Sequence, residues 1–372
     1  MNLRTPSLRS ASSTLLLWGL ALGVAGCSGC GDGAGGGGTD GGGSRDATQQ
    51  DIGLPPAPDL GPDVVSSVIA FDNARGEPVR AVLATPTSAG PHPAVLVLHG
   101  SGGLYRMPEA SDPGPCSPRL EAQFQRWAIR LVELGFVVLM PDSFGSRGFC
   151  DYNDDPRQAD AYPPITGDTD GKTRRLLDRI YDADAATRLL AARADVDAGA
   201  IALLGFSNGA STAALYAHHR LPEALQEFAA RSEAQALGVT IPALPGPVPA
   251  LRQSIAYYPG CGFDGLLPFS TDSEDVDAFF YPAPPLQVLH ASLDPLLDHC
   301  SITQTGTREL QADGYAAAQS APDHYAITIY VGADHGFDAA DCESPTAPMD
   351  PDTVACAAAL DVTLGLLAPL LP

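Results

Sequence analysis

The chain has 372 residues, of which 45% are hydrophobic and 17% are charged, so it can bury a sizeable globular core. Its 44 acidic residues against 21 basic ones give a formal net charge of −23. This composition argues against nucleic acid and anionic lipid surfaces as partners, because phosphate binding needs clustered lysine and arginine. The acidity itself is typical of a protein kept soluble by its charge, and it identifies no substrate.

The N-terminus is typical of an export signal. Two arginines precede an apolar run at residues 15–25, which is too short to span a bilayer comfortably. The signal ends in Val24-Ala25-Gly26-Cys27, which resembles the cleavage site of bacterial lipoproteins, where a cysteine receives lipid. We therefore expect a lipoprotein-type signal peptide over residues 1–26 and lipidation of Cys27. The protein would then be exported and lipid-anchored to a membrane of the cell envelope, with ordinary secretion as the alternative.

A linker follows the signal. Residues 27–58 are rich in glycine, aspartate and proline, as in GDGAGGGGTDGGGS, and such a composition cannot bury a core. We interpret this segment as a flexible tether that spans on the order of 30 Å. The globular domain is expected at residues 59–372.

The eight cysteines fit an oxidising compartment. Two of them, Cys27 and Cys30, precede the domain, which leaves an even number inside it and favours disulfides. Pairing of sequence neighbours predicts the bridges Cys116–Cys150, Cys261–Cys300 and Cys342–Cys356, one of many possible arrangements. The spacings are not those of a zinc site.

Short apolar runs alternate with helical periodicity along the domain. Strands are predicted at 64–71, 79–84, 94–98, 136–140, 201–204, 254–258, 286–290 and 326–331, and helices around 120–131, at 174–192 and after Gly209. This alternation predicts an α/β fold with a mostly parallel central sheet, helices on both faces, and ligands at the carboxyl ends of the strands. The stretches 221–250 and 262–285 fit no such unit, and we interpret them as insertions that form part of a lid or surface loops.

A candidate nucleophile follows the strand at 201–204. Here the chain enters Gly205-Phe206-Ser207-Asn208-Gly209, the G-x-S-x-G pattern in which a sharp strand-to-helix turn exposes a serine. The five letters alone are a weak signal, because glycine-rich turns contain serines by chance. The buried strand before the pattern and the helix-forming residues after it favour the catalytic interpretation.

Two further candidates follow the last two predicted strands. His335, in YVGADHGFD, is a residue type that can take a serine proton near neutral pH, and Asp294, in HASLDPLLDHC, could orient its imidazole. Asp298, four residues later, is the alternative acid. The order serine, aspartate, histidine is that of α/β-hydrolases and differs from the orders of chymotrypsin and subtilisin.

A glycine-rich loop follows the strand at 94–98. In His99-Gly100-Ser101-Gly102-Gly103 the glycines would let backbone N–H groups approach a developing oxyanion, with the N–H of Asn208 as the second donor. A plain glycine turn is the alternative. We expect His99 to be a structural part of this loop, and His218 and His219 to have surface or packing roles.

Five segments carry a family resemblance: VLHGSGG, MPDSFGSRG, LGFSNGAS, HASLDPLLDHC and GADHGFD. Together they resemble the dienelactone hydrolase-like branch of the α/β-hydrolases over residues 64–372. The resemblance implies Ser207 as nucleophile, Asp294 as acid and His335 as base, with Asn208 and Ser101 as oxyanion donors.

The sequence departs from that family at one position. Dienelactone hydrolases proper have a cysteine as nucleophile, whereas this chain has Ser207. The departure favours a serine esterase or a related acyl hydrolase. Arg147 could bind a substrate carboxylate bidentately, or it could form an ordinary ion pair near Asp142 and Asp151.

These observations predict a serine hydrolase that cleaves a small-molecule ester or lactone through an acyl-enzyme, with neither a metal nor an organic cofactor implied. One alternative is a peptidase on the same fold, which would need a pocket for a peptide terminus and usually a large further domain. The other is a cell-surface lipoprotein that keeps the fold without catalysis. The sequence indicates neither the substrate nor the oligomeric state.

Overall fold

A computed structural model describes residues 56–112, 114–154, 172–230, 234–235, 238, 240–261, 280–298, 300, 324–339, 342 and 349–372. The predicted signal peptide at 1–26, with Cys27 and the tether up to residue 55, lies outside the described residues.

The described residues form eight strands and five α-helices. The strands are β1 (Val64–Asp72), β2 (Pro78–Pro86), β3 (His92–Leu98), β4 (Val137–Asp142), β5 (Val196–Phe206), β6 (Gln253–Tyr257), β7 (Leu286–Ala291) and β8 (Tyr325–Tyr330). The helices are α1 (Ala122–Glu133), α2 (Lys172–Ala192), α3 (Asn208–Tyr216), α4 (Leu221–Ala229) and α5 (Pro351–Leu367). Each predicted strand and helix is present, with ends that differ by up to five residues.

The strands form one sheet in the order β1-β2-β4-β3-β5-β6-β7-β8. Strand β2 is antiparallel to both of its neighbours, and every pairing from β4 to β8 is parallel. This order with its reversed second strand is the α/β-hydrolase fold. The predicted mostly parallel sheet is confirmed, and the carboxyl ends of β3, β5, β6, β7 and β8 share one edge.

Helices cover both faces of the sheet, also as predicted. In β3, Leu96 and Leu98 pack into a core with α2, α3 and α4, while Val95 and Val97 pack into a second core with α1 and α5. Successive side chains of a strand point to opposite faces, so a strand covered on both sides must be apolar at nearly every position. The continuous apolar run in the sequence follows from this burial.

The interpretation of residues 221–250 as an insertion is wrong for its first part. Residues 221–229 form α4, and Leu221, Leu225 and Phe228 are buried in the core beside α2 and α3. Their spacing is that of an amphipathic helix face and was present in the sequence. Of the second stretch, residues 262–279 lie outside the described part of the chain, and Phe280 and Tyr281 are buried.

Helix α5 was not predicted. Asp350 caps it, since its carboxylate accepts a hydrogen bond of 2.9 Å from the N–H of Asp352. By length and composition the segment Pro351–Leu370 could cross a membrane. In the structure the helix packs on the sheet, where the hydroxyl of Tyr257 donates to the carbonyl of Ala359 at 3.0 Å. It is therefore a helix of the domain core.

Two of the three predicted disulfides are present. Cys261 is bonded to Cys300 and Cys342 to Cys356. The prediction of a bridge between Cys116 and Cys150 is wrong for this structure, because both remain thiols. The two side chains are hydrogen-bonded, and this contact, together with burial, raises the pKa of Cys116.

Candidate active site

The G-x-S-x-G segment forms a strained turn between β5 and α3. Ser207 has φ +50° and ψ −117°, a region that non-glycine residues seldom adopt and that costs about 1–3 kcal/mol. A Cβ atom at Gly205 would overlap the backbone of Gly209, and one at Gly209 would overlap the carbonyl oxygens of Leu98 and His99. Both glycines are therefore required by close packing, which explains the pattern around the serine.

Three side chains from three strand ends form a hydrogen-bonded series. The Oγ atom of Ser207 lies 2.9 Å from Nε2 of His335, and Nδ1 of His335 lies 2.6 Å from Oδ2 of Asp294. The carboxylate of Asp294 is buried, whereas the His335 side chain is 36% exposed. With the serine hydroxyl donating to Nε2, the Nδ1–H group donates to the carboxylate. This is the arrangement that general-base activation of a serine requires.

The alternative acid lies elsewhere. Asp298 is exposed, while Oδ1 of Asp294 accepts a hydrogen bond of 2.9 Å from the N–H of Leu296 and so is held by its own loop. His290, at the end of β7, brings its Nδ1 atom to 3.7 Å from Oδ2 of Asp294. Burial lowers the pKa of His290, which keeps this second imidazole neutral beside the carboxylate.

The residues that pack around His335 were not predicted from the sequence. Tyr258, which follows β6, has φ +40°, and its ring centroid lies 4.8 Å from that of His335. Its hydroxyl donates to the buried carboxylate of Asp338, which also accepts a hydrogen bond of 2.8 Å from Gln123. Burial raises the pKa of Asp338. The GADHGFD segment contained Asp338, but a tyrosine at positive φ leaves no signal in a sequence.

The two predicted oxyanion donors flank the serine. Asn208 is the first residue of α3, so its backbone N–H is among the donors that a helix cannot satisfy internally. On the other side, a Cβ atom at Gly100 would lie 3.5 Å from that of Ser207, which places the loop after β3 directly against the turn. The carbonyl of Ser101 in this loop accepts a hydrogen bond of 2.8 Å from the N–H of Tyr152.

His99, His218 and His219 lie away from the hydrogen-bonded series, in structural surroundings. His99 is fully buried, and its Nδ1–H donates to the carbonyl of Gly100 at 2.8 Å. Burial and the charge of Arg179 hold the pKa of His99 well below its usual range. His218 and His219 stack on each other after the C-terminus of α3, whereas Ser207 precedes the N-terminus of that helix.

Arg147 lies within a network of the protein's own carboxylates. Its Nη1 atom is 2.7 Å from Oδ2 of Asp182, and its Nη2 atom is 2.7 Å from Oε2 of Glu77. These partners differ from Asp142 and Asp151, which the sequence suggested. The guanidinium is therefore already paired and is not positioned as a free binder of a substrate carboxylate.

Comparison with known proteins identifies a partial family match. Residues 79–230 match the model of the dienelactone hydrolase family. Among curated proteins, no sequence match is found.

Solved structures give matches of low sequence identity. A dienelactone hydrolase-like promiscuous phosphotriesterase from metagenomic libraries shares 17% identity, with 84% of this chain and all of that chain covered and a TM-score of 0.49. A thermophilic esterase of Thermogutta terrifontis shares 15%, over 84% and 96% of the two chains, with a TM-score of 0.48. An esterase of the archaeon Pyrobaculum calidifontis shares 19%, over 83% and 87%, with a TM-score of 0.43.

The family match falls on a definite part of the fold. It runs from β2 to α4 and so includes the loop after β3, the turn at Ser207 and the N-terminus of α3. The segments that carry Asp294 and His335 follow it in the chain. Over residues 79–230 the protein is thus similar to the dienelactone hydrolase family.

Proposed function

We propose that the protein is a serine hydrolase that cleaves an ester or lactone through an acyl-enzyme intermediate. The proposal rests on one series of hydrogen bonds. Ser207 is bonded to His335 at 2.9 Å, and His335 is bonded to the buried Asp294 at 2.6 Å. Neutral imidazole is a suitable base near pH 7, and a buried carboxylate fixes its tautomer.

The mechanism follows from the positions of these atoms. Oγ of Ser207 attacks the substrate carbonyl while Nε2 of His335 takes the hydroxyl proton, and the imidazolium that forms is stabilised by Asp294. The backbone N–H groups of Ser101 and Asn208 donate hydrogen bonds to the carbonyl oxygen and so stabilise the negative charge that develops on it. His335 then gives its proton to the leaving alkoxide, and the same base activates a water molecule that releases the acid from Ser207.

The family match supports this proposal because it covers the turn and the loop that would form the nucleophile and oxyanion elements.

The contacts of Arg147 limit which substrate groups this residue could recognise. Since its guanidinium pairs with Asp182 and Glu77, we propose a substrate that needs no carboxylate for recognition by that residue. Simple uncharged esters are therefore the substrates to test first.

We also propose that the hydrolase is exported as a lipoprotein, with a signal peptide at 1–26, lipid on Cys27 and a tether at 27–58. Several acyl chains on one cysteine would exceed the two signals that stable anchoring requires. Metabolic labelling with a fatty acid tests the proposal: the wild type should be labelled and partition with membranes, and Cys27→Ser should be unlabelled. An unlabelled mature wild type that begins elsewhere would make the protein an ordinary secreted hydrolase.

Labelling with a fluorophosphonate probe tests the catalytic proposal. The probe should modify Ser207 in the wild type, as located by peptide mapping, and should leave Ser207→Ala unmodified. Ser254→Ala is the matched control, because Ser254 is a buried serine of β6 whose hydroxyl donates to the carbonyl of Ala213. Equal labelling of wild type and Ser207→Ala would refute the assignment.

A further inference from the structure

Arg179 of α2 is a fully buried arginine beneath the candidate active site. Its Nη1 atom donates to Oδ1 of Asn208 at 2.7 Å, and its Nη2 atom donates to the carbonyl of His99 at 2.5 Å. The guanidinium carbon lies 5.2 Å from the ring centroid of Phe144, which adds a cation–π contact. One side chain thus connects α2 to two other segments.

These two segments are the ones that flank Ser207. His99 begins the glycine-rich loop that carries Ser101, and Asn208 begins α3. The backbone N–H groups assigned to the oxyanion, those of Ser101 and Asn208, therefore lie within two residues of the atoms that Arg179 holds. A planar guanidinium with donors at a fixed separation sets the spacing between its two acceptors.

The charge of Arg179 is not neutralised by a direct ion pair within the described part of the chain. Its two hydrogen-bonded partners are an amide oxygen and a backbone carbonyl, both uncharged. Asp182, the carboxylate that raises the pKa of Arg179, is itself hydrogen-bonded to Arg147 and Asn73. Burial lowers the pKa of Arg179 to about 9, so the group remains protonated near pH 7.

A buried cation without a carboxylate partner is costly for folding. Arg179 lies behind the glycine-rich loop and the turn at Ser207, next to the candidate oxyanion site. Negative charge develops at that site only in the transition state, so a positive charge nearby can favour the transition state over the ground state. In surroundings poor in water, a fixed positive charge interacts with that oxyanion more strongly than it would in solvent. The same charge helps to keep the buried His99 neutral.

We propose that Arg179 is a positioning residue for the oxyanion site: it fixes the separation of the Ser101 and Asn208 N–H donors through His99 and Asn208, and its charge favours the transition state. This inference rests on the proposed function, since it assumes acyl transfer at Ser207. Arg179 does not itself contact the substrate: it acts through the residues that it holds and through its charge at a distance.

The test compares Arg179→Lys, Arg179→Met and Asn208→Ala with the wild type, using kcat and KM for p-nitrophenyl acetate. The ground-state ester carries no charge at the oxyanion site, so KM should stay within about twofold while kcat falls. We expect Arg179→Met to lower kcat on the order of 10- to 100-fold, less than the 10²–10³ that loss of a donor itself costs. Arg179→Lys keeps the charge and should lose less than Arg179→Met.

Two control variants separate this role from a loss of stability. Arg188→Met removes another arginine of α2, one that pairs with Asp184 and Gly246. Leu177→Ala opens a cavity in the core on the same helix and removes no hydrogen bond. Both should keep kcat near that of the wild type at temperatures below their melting transitions.

The kcat of a double variant tests whether Arg179 and Asn208 act together. If Arg179 acts partly through the Asn208 side chain, the double variant Arg179→Met/Asn208→Ala should be little slower than Arg179→Met alone. A folded Arg179→Met with wild-type kcat, or with a loss confined to KM, would overturn the inference. If Arg179→Met does not fold, a wild-type kcat in Arg179→Lys and Asn208→Ala would overturn it equally.

The same experiments distinguish a failure of the Arg179 proposal from a failure of the proposed serine hydrolase function. An active wild type with an inactive Ser207→Ala and an unaffected Arg179→Met would reject only the role of Arg179. A wild type that hydrolyses no p-nitrophenyl ester and is not labelled by a fluorophosphonate would reject both.

Discussion

The hydroxyl of Tyr258 donates a hydrogen bond to the carboxylate of Asp338, three residues after His335 in the same loop. The contact is buried, and Gln123 of α1 supplies a second donor to the carboxylate. Because the ring of Tyr258 lies 4.8 Å from the imidazole of His335, this contact joins the end of β6 to the loop of the candidate base. The candidate base is thus held by packing as well as by Asp294.

Substitutions at Tyr258 separate the contribution of its hydroxyl, which donates to Asp338, from that of its ring, which packs on His335. Tyr258→Phe keeps the ring but leaves Asp338 with one donor fewer, which should lower the free energy of unfolding by about 1–3 kcal/mol and change kcat less than about tenfold. Tyr258→Ala also removes the ring and should lower kcat further. Tyr330→Phe is the control, because the Tyr330 hydroxyl has no hydrogen-bond partner among the described residues. Wild-type kcat in a folded Tyr258→Ala would show that the ring does not position His335.

The identity of the acid is tested by changing each candidate to asparagine. Asp294→Asn should lower kcat by about 10⁴, since an amide donates to Nδ1 and stabilises the wrong imidazole tautomer. Asp298→Asn should have little effect, because Asp298 is exposed and the hydrogen bond of 2.6 Å to His335 comes from Asp294. Steady-state rates on a p-nitrophenyl ester decide between them. The reverse ranking would assign the role to Asp298.

The free energy of unfolding should depend on pH through Asp142, the last residue of β4. Burial raises its pKa from the ordinary 3.8 to about 6, although Arg80 and the N–H of Gly145 favour the charged form. The folded state therefore holds the proton more tightly than the unfolded chain, and this residue's contribution to stability falls as the pH rises from about 4 to about 6.

Asp142→Asn removes this titration. The stability of the variant relative to wild type should rise across that pH window by up to about 3 kcal/mol, since each pKa unit corresponds to about 1.4 kcal/mol. Urea denaturation of both proteins at pH values between about 4 and about 7 measures the difference. A difference that stays constant over this range would contradict the raised pKa.

The cysteines predict a definite thiol count for the domain beyond the tether. Cys116 and Cys150 should react with a thiol reagent in denaturant without reductant, whereas the residues of the Cys261–Cys300 and Cys342–Cys356 bridges should not. A reductant should lower the melting temperature, because each disulfide contributes roughly 2–4 kcal/mol. Peptide mapping identifies the reactive positions. Complete reactivity of all the domain cysteines, or none, would contradict the pairing.

The sequence predicted the sheet and the three side chains at its edge for the same physical reason. Strands buried on both faces must be apolar, so their ends can be located, and parallel strands bring their carboxyl ends to one edge. Ser207, Asp294 and His335 each follow such an end. Glycines on both sides of Ser207 are dictated by backbone contact and are therefore visible as letters.

Other features leave no such pattern. Helix α5 is apolar on nearly all sides, so its sequence has no amphipathic period. Arg147 and Arg179 are charged residues whose burial depends on partners distant in the chain. The positive φ of Tyr258 depends on its tertiary contacts, since the residue type does not favour it. The position of α5, the burial of both arginines and the conformation of Tyr258 all depend on tertiary contacts, which are visible only in the structure.

The proposed mechanism requires that Ser207 becomes acylated during turnover. Intact-protein mass spectrometry after rapid acid quenching of wild type with p-nitrophenyl acetate tests it, and peptide mapping locates the adduct. We predict a mass increase of one acetyl group on Ser207, with no adduct in Ser207→Ala and a loss of kcat on the order of 10⁶ in that variant. Turnover by the wild type with no acyl group on Ser207, or a Ser207→Ala protein that keeps a tenth of the activity, would refute an acyl-enzyme mechanism at Ser207.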